Sequence, residues 1–157
     1  MDHSKSRKLL LPLVIILFLF YHGGWSTFAH ASSAIAAVQK VNGTATVARQ
    51  GQTIPATMGL EIWQNDTLRT GPDGSIGVVF NDDTLLSLGP ESVLVIDEFV
   101  FAPKQGNFSI VLKMLKGTAT YLSGLISKLA PEATRFETPS ASIGIRGTRF
   151  VVKVAGE

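Results

Sequence analysis

Between Ser32 and Glu157 the chain places nineteen Gly or Pro residues. Gly43, Gly51, Pro55, Gly59, Gly71-Pro72, Gly89-Pro90, Pro103, Gly106, Gly117, Gly124, Pro131 and Pro139 leave few gaps wide enough for a three-turn helix. Glycine and proline punctuate regular structure, and short strands joined by turns fit such spacing. An all-β domain is therefore expected, either a compact β-sandwich or a short β-roll or solenoid of short strands. A chain of this length buries about two-thirds of its unfolded surface, enough for a core of its own.

The intervening segments agree. Ile76–Phe80 is apolar, Asn81-Asp82-Asp83 is a turn whose short polar side chains bond nearby backbone, and Thr84–Leu88 follows as a strand. Val93–Phe101 is rich in β-branched and aromatic residues. In Phe108–Leu115, residues Phe108, Ile110, Leu112 and Met114 share one face, with Ser109 and Lys113 on the other. Thr118–Leu122, Thr134–Thr138 and Arg149–Val154 read as further strands, and Ile35–Val41 as a first one. Within Tyr121–Ala130, Leu122, Leu125, Ile126 and Leu129 recur at helical spacing, predicting a short helix or loop that ends before Pro131.

Two segments recur weakly. Asp66-Thr67-Leu68-Arg69-Thr70-Gly71-Pro72 resembles Asp83–Pro90 at an offset of 17 or 18 residues, and Gly-Thr-Ala-Thr occurs at Gly43–Thr46 and at Gly117–Thr120. Either strand–turn units stack, or strand–turn chemistry reuses the same residues; stacking normally needs three or more copies.

The first 31 residues have a different character. Met1–Lys8 is basic, Leu9–Tyr21 is an apolar run, and Ala29-His30-Ala31 has the small-x-small pattern of a signal-peptidase site. This order is the anatomy of a secretory signal, with cleavage expected after Ala31. An uncleaved N-terminal anchor is the alternative, although a spanning helix needs about 20 apolar residues. Export to the periplasm or the extracellular space is expected, or, for the anchored form, display from the inner membrane. Residues 32–40 would form a lead-in and residues 41–157 the domain.

Composition narrows the chemistry. The chain has no Cys, and its three histidines (His3, His22, His30) precede Ser32. The remainder lacks the ligands and nucleophiles of disulfides, His-based triads and most zinc, haem or iron–sulfur sites, so no cofactor or metal is expected. It carries 11 basic and 11 acidic side chains, which gives no electrostatic case for nucleic acid. Asp82 and Asp83 have no spaced third acid and read as a hairpin turn rather than a calcium site. Asp97 and Glu98, adjacent on a strand, are expected on opposite faces, one toward solvent and one at a sheet edge. Ser109 and Lys113 stand roughly 13 Å apart, too far for a catalytic dyad. No enzyme is expected. The sequons at Asn42, Asn65 and Asn107 matter only in a eukaryotic secretory pathway.

The densest local signal is Thr138–Phe150. Gly144 and Gly147, three apart among small residues, suggest close backbone approach, and Arg146 in an apolar stretch needs acceptors for its guanidinium. A lock on the fold and a partner-binding corner are both open readings.

Taken in order, these segments resemble the FecR domain family. Val41–Val47 is similar to its opening strand, Asn65–Ser75 and Asn81–Ser92 to its two Asp-containing strand–turn segments, and Leu115–Ala119 to a later strand. Phe136–Pro139 leading to Ile145–Phe150 is the most specific part, so Thr138, Pro139, Gly144, Arg146, Gly147, Thr148 and Phe150 stand as signature residues, structural or partner-binding. The resemblance runs from Val41 to Val154 and implies an extracytoplasmic, non-enzymatic β-domain. The family's best-known members carry a cytoplasmic sigma-factor-binding segment, a membrane helix and a periplasmic sensing domain. Here only Met1–Lys8 precedes the apolar run, and three residues follow Val154. The expectation is a stand-alone exported protein that binds an envelope protein or glycan in signalling or assembly, touching membrane only through an uncleaved N-terminus. A membrane-anchored transducer of anti-sigma type is the alternative.

Overall fold

A computed structural model describes residues 33–145 and 149–156. The described residues form twelve strands and one short α-helix. In chain order the strands are β1 (Ala36–Asn42), β2 (Ala45–Arg49), β3 (Gln52–Pro55), β4 (Glu61–Ile62), β5 (Thr67–Thr70), β6 (Ser75–Phe80), β7 (Leu85–Leu88), β8 (Val93–Ala102) and β9 (Asn107–Leu122). The helix α1 (Leu125–Leu129) follows, then β10 (Thr134–Thr138), β11 (Ala141–Gly144) and β12 (Arg149–Val154). The all-β expectation holds, and the short helix lies where Leu122–Leu129 predicted it.

Pairing follows the order β3-β2-β5-β8-β9-β7-β6-β1-β4. β9 is the hinge of this path. Its first half pairs with β8 on one side and, in parallel, with β10 on the other, and β10 in turn pairs with β11. Its second half pairs with β7 and β12. One strand thus belongs to two layers: sheet A (β12, β9, β7, β6, β1, β4) and sheet B (β3, β2, β5, β8, β9, β10, β11). Period-two alternation in both layers supplies the shared core. Ile76, Val78, Leu86, Leu88 and Tyr121 come from sheet A, and Val47, Leu68, Leu94, Ile96, Ile110 and Leu112 from sheet B.

Phe108–Leu115 and Thr118–Leu122, expected as separate strands, are therefore one sixteen-residue strand. Gly117 lies within it at φ +94°, and a Cβ there would fall 2.2 Å from Ser92 Oγ and 2.5 Å from its Cα. Only glycine tolerates both the angle and the approach. The residue bends the strand from one sheet into the other without breaking the ladder.

The weak sequence repeats gain a meaning here, and it is not stacking. Exchange β2 with the second half of β9, β5 with β7, β6 with β8, and β1 with the first half of β9. The run β2-β5-β8-β9 of sheet B then becomes the run β9-β7-β6-β1 of sheet A. Ala45 opposite Thr70 corresponds to Ala119 opposite Leu88, and Val47 opposite Leu68 to Tyr121 opposite Leu86. Both Gly-Thr-Ala-Thr copies stand where a chain passes between sheets: Gly71 N–H donates to Thr44 O at 2.8 Å, and Gly89 N–H to Thr118 O at 2.9 Å. Of the two candidate offsets, the registers select eighteen residues for the Gly-Pro segments.

Two further expectations change. Residues 32–40 are more than a lead-in, because β1 begins at Ala36, pairs with β6 and buries Ile35, Ala36 and Val38. Asp97 and Glu98 do not alternate cleanly. The β8–β9 register slips between Ile96 and Glu98, inward packing resumes at Phe99, and this β-bulge leaves both acids half-exposed.

Candidate functional site

The signature residues fall on the last three strands. β10 packs in parallel beside β9 and buries Phe136. A two-residue turn, Pro139-Ser140, returns the chain as β11. Thr138 ties this turn at both ends: its Oγ1 accepts from Ala141 N at 3.1 Å and donates to Ala141 O at 3.2 Å. All four residues of β11 are exposed, and it pairs only with β10 among the described strands. Gly144 has open space where a Cβ would lie and is not at positive φ, so close backbone approach is not its role. Phe150 does point inward. It stacks on Tyr121 with centroids 5.0 Å apart and meets Phe136 edge-on at 5.4 Å. Arg149 beside it is exposed. Arg146, Gly147 and Thr148 lie outside the described residues, as do Ala29 and Ala31. The structure thus brings Thr138 and Pro139 to a hairpin tip at the sheet edge and joins Phe150 to the core.

β11 also differs from the other sheet edges. β3 ends in Pro55, β4 has two residues including Glu61, and β12 carries Arg149 and Lys153. Charge, proline and brevity protect an edge from pairing with another chain. β11 reads Ala-Ser-Ile-Gly and has neither charge nor proline.

Asp82 proves to be a structural carboxylate. It is fully buried; its Oδ1 accepts from Thr84 N at 3.1 Å, and its Oδ2 from Thr84 Oγ1 at 2.9 Å and Ile126 N at 3.1 Å. It caps the first turn of α1 from the β6–β7 turn, 44 residues away in sequence. Asp83 takes the left-handed position of that turn at φ +66°. No group of three or more metal-ligating side chains occurs among the described residues. From α1 a hydroxyl chain runs through Tyr121, Ser127 and Thr134, each link 3.1 Å, and burial pushes the Tyr121 phenol above its usual pKa.

One constellation escaped the sequence reading. The Arg49 guanidinium grips Asp66 through Nε at 2.9 Å and Nη2 at 2.7 Å, and donates to Glu61 O at 2.7 Å. It stacks on Trp63 with Cζ 4.4 Å from the ring centroid. Asp66 also accepts from Trp63 N at 2.8 Å. Asp66 is 1% exposed and Arg49 18%, so this pair locks the β2–β5 layer rather than offering a charge to solvent. Arg49 ends β2 and Asp66 precedes β5, the strand paired with it, 17 residues apart, and no local pattern announces the contact.

The second missed feature is the outer face of sheet A. Reading across the strands, one row runs Arg149, Leu122, Leu85, Val79, Ala37, Glu61. The next runs Val151, Thr120, Ser87, Gly77, Lys40. Above Gly77, between Lys40 and Ser87, lies a shallow hollow of about 360 Å³. The outer face of sheet B contrasts with this. Its Lys113 bonds Asp97 at 2.9 Å and lies 3.8 Å from Glu137. The signal for the sheet A face was present in the sequence: Leu85 and Leu86, like Tyr121 and Leu122, put apolar side chains on both faces of one strand.

Among the described residues no helix is long and apolar enough to cross a membrane. No curated protein and no solved structure matches the chain. The sequence model of the family described as FecR protein matches residues 66–157, from β5 through β12. The match begins after β1–β4, including the Val41–Val47 segment likened to the family's opening strand, yet those strands complete the same two sheets. More than half of the chain, including both Gly-Pro segments, the Gly117 bend and the Thr138–Phe150 signature, is covered, and the chain belongs to the FecR protein family.

Proposed function

We propose that this chain is an exported, non-enzymatic FecR-domain protein that binds a partner, protein or glycan, in envelope signalling or assembly. The FecR match over residues 66–157 carries this reading, since the domain is found in envelope signalling regulators. The order of basic, apolar and small-x-small segments before Ser32 supports export. The unguarded β11 edge beside Thr138 and Pro139 supports partner binding, because an exposed edge can accept an added strand.

N-terminal sequencing of the protein recovered from a cell envelope fraction tests export. A start at Ser32 is the expected result. Recovery of an intact Met1 terminus in the membrane would favour the anchored transducer instead. Binding is tested with a photocrosslinking residue at Ser142 on β11. A discrete envelope adduct is expected there and none with the same group at Arg69, on the outer face of β5. Equal labelling at both positions would refute a specific edge.

A further inference from the structure

The outer face of sheet A has a composition that solvent alone does not explain. In a one-sided antiparallel sheet the outer row should be polar. Here Leu122, Leu85, Val79 and Ala37 are direct cross-strand neighbours on the outside. Leu122 is 37%, Leu85 38% and Val151, diagonal to Leu122, 60% exposed. Contiguous exposed aliphatic surface of this kind marks a contact site.

Cations frame the row. Arg149 and Lys153 project outward from β12 at one side and Lys40 from β1 at the other, all exposed. Four strand spacings separate the two sides, about 19 Å. None of the three has an ion-pair partner among the described residues, whereas Lys113 on sheet B is paired twice. Glu61, at the end of the row on β4, is the acid on this face, and Asp83 stands at its rim in the β6–β7 turn.

We propose that the outer face of sheet A docks on an anionic lipid surface. The aliphatic row meets the boundary between headgroups and acyl chains, and Arg149, Lys153 and Lys40 meet lipid phosphates on either side. Interfacial binding combines these two ingredients, buried apolar area and attraction to anionic lipid. The excess positive charge disfavours a second copy of the same face, since like charges would be brought together. The proposal stands apart from the envelope-partner reading, which rests on the family match and on the β11 edge of sheet B, not on the outer face of sheet A.

The absence of cysteine allows a direct test on the full-length chain. A polarity-sensitive fluorophore is attached at Ser87→Cys, in the centre of the face, and in a second protein at Arg69→Cys on sheet B. Vesicles of phosphatidylcholine are compared with vesicles containing phosphatidylglycerol. The Ser87 label should shift to the blue with the anionic vesicles, reversibly with salt, and the Arg69 label should not. Each cation near an anionic surface contributes about fivefold to binding, so Lys40→Gln, Arg149→Gln and Lys153→Gln together should weaken the Ser87 response on the order of a hundredfold. Val151→Ser with Leu122→Ser should weaken it about tenfold, from the methylene and methyl groups no longer buried. All five positions are exposed, so melting temperatures should stay near the parent's. The N-terminal basic and apolar segment is common to every variant and cancels in the comparison. The proposal fails if both labels respond alike, if neither responds, or if the triple variant matches the parent. It also fails if the Ser87 response follows protein concentration without vesicles, which would identify a second copy as the occupant. Soluble polyglutamate that reproduces the shift, with no dependence on Val151 and Leu122, would point instead to an acidic protein.

Discussion

The two Gly-Thr-Ala-Thr corners share a sequence and a role, and they are built to different standards. At the first, β1 ends at Asn42 and β2 begins at Ala45; the ladder is interrupted, and Gly43, Thr44 and Asp73 are all exposed. Thr44 N is served by Asp73 Oδ1 at 3.4 Å. At the second, β9 runs on unbroken, and the buried Ser92 Oγ accepts from Thr118 N at 3.0 Å and faces Thr118 O at 3.2 Å. The Gly43 corner joins two strands of modest length. The Gly117 corner lies within the strand on which both sheets assemble. Local chemistry permits the bend, and burial decides how much of the fold depends on it.

The largest expected effect breaks the second corner. Gly117→Ala brings a Cβ onto Ser92 and demands an angle outside the left-handed well, and should destabilise by about 4 kcal/mol in denaturant melts. Gly43→Ala should cost about 2 kcal/mol, because φ +59° lies inside the left-handed well, and the turn whose Asp73 carbonyl a Cβ would meet at 2.2 Å is exposed rather than part of the core. Equal losses at the two sites would remove the distinction. The side chains that serve the corners come next. Ser92→Ala takes the acceptor from Thr118 N–H, while Thr118 O keeps Gly89 N–H, and should cost about 1 kcal/mol; Asp73→Ala, with water at hand, should stay below about 0.5 kcal/mol.

The smallest effect distinguishes the sheets by pH. Tyr121 in sheet A holds the place that Val47 holds in sheet B. Burial raises the phenol's pKa in the fold, so the folded state keeps its proton when the unfolded chain releases it near pH 10. That contribution is intact below pH 10 and is lost as pH rises through the folded value. Melts of the parent should therefore weaken above about pH 10, and Tyr121→Phe should flatten that decline relative to the parent. Parallel declines would place the alkaline sensitivity elsewhere.

Much of this architecture is legible in the chain. The β6–β7 hairpin is readable because Asn81-Asp82-Asp83 separates two apolar runs, and β12 because Phe150–Val154 is rich in β-branched residues. The continuity of β9 is not readable, since glycine in a strand usually signals an end and only tertiary contact with Ser92 reveals a bend. The repeats were visible, but their meaning was not; sequence similarity carries no information on whether two units stack or face each other across a core. The Arg49–Asp66 lock is hidden for the same reason, since it depends on β2 pairing with β5 across β3 and β4. Asp97 and Glu98 misled because a bulge suspends the alternation that any strand reading assumes.

Native-state hydrogen exchange along β9 tests the central structural claim, that one bent strand makes the two sheets a single cooperative unit. Amides of Ile110 and Leu112, in the sheet B half, should exchange with the same opening free energy as those of Ala119 and Tyr121 in the sheet A half, and both should match global unfolding. If the sheet A half opens at clearly lower free energy while the sheet B half stays closed, the Gly117 bend is a joint between independent layers and the account is contradicted.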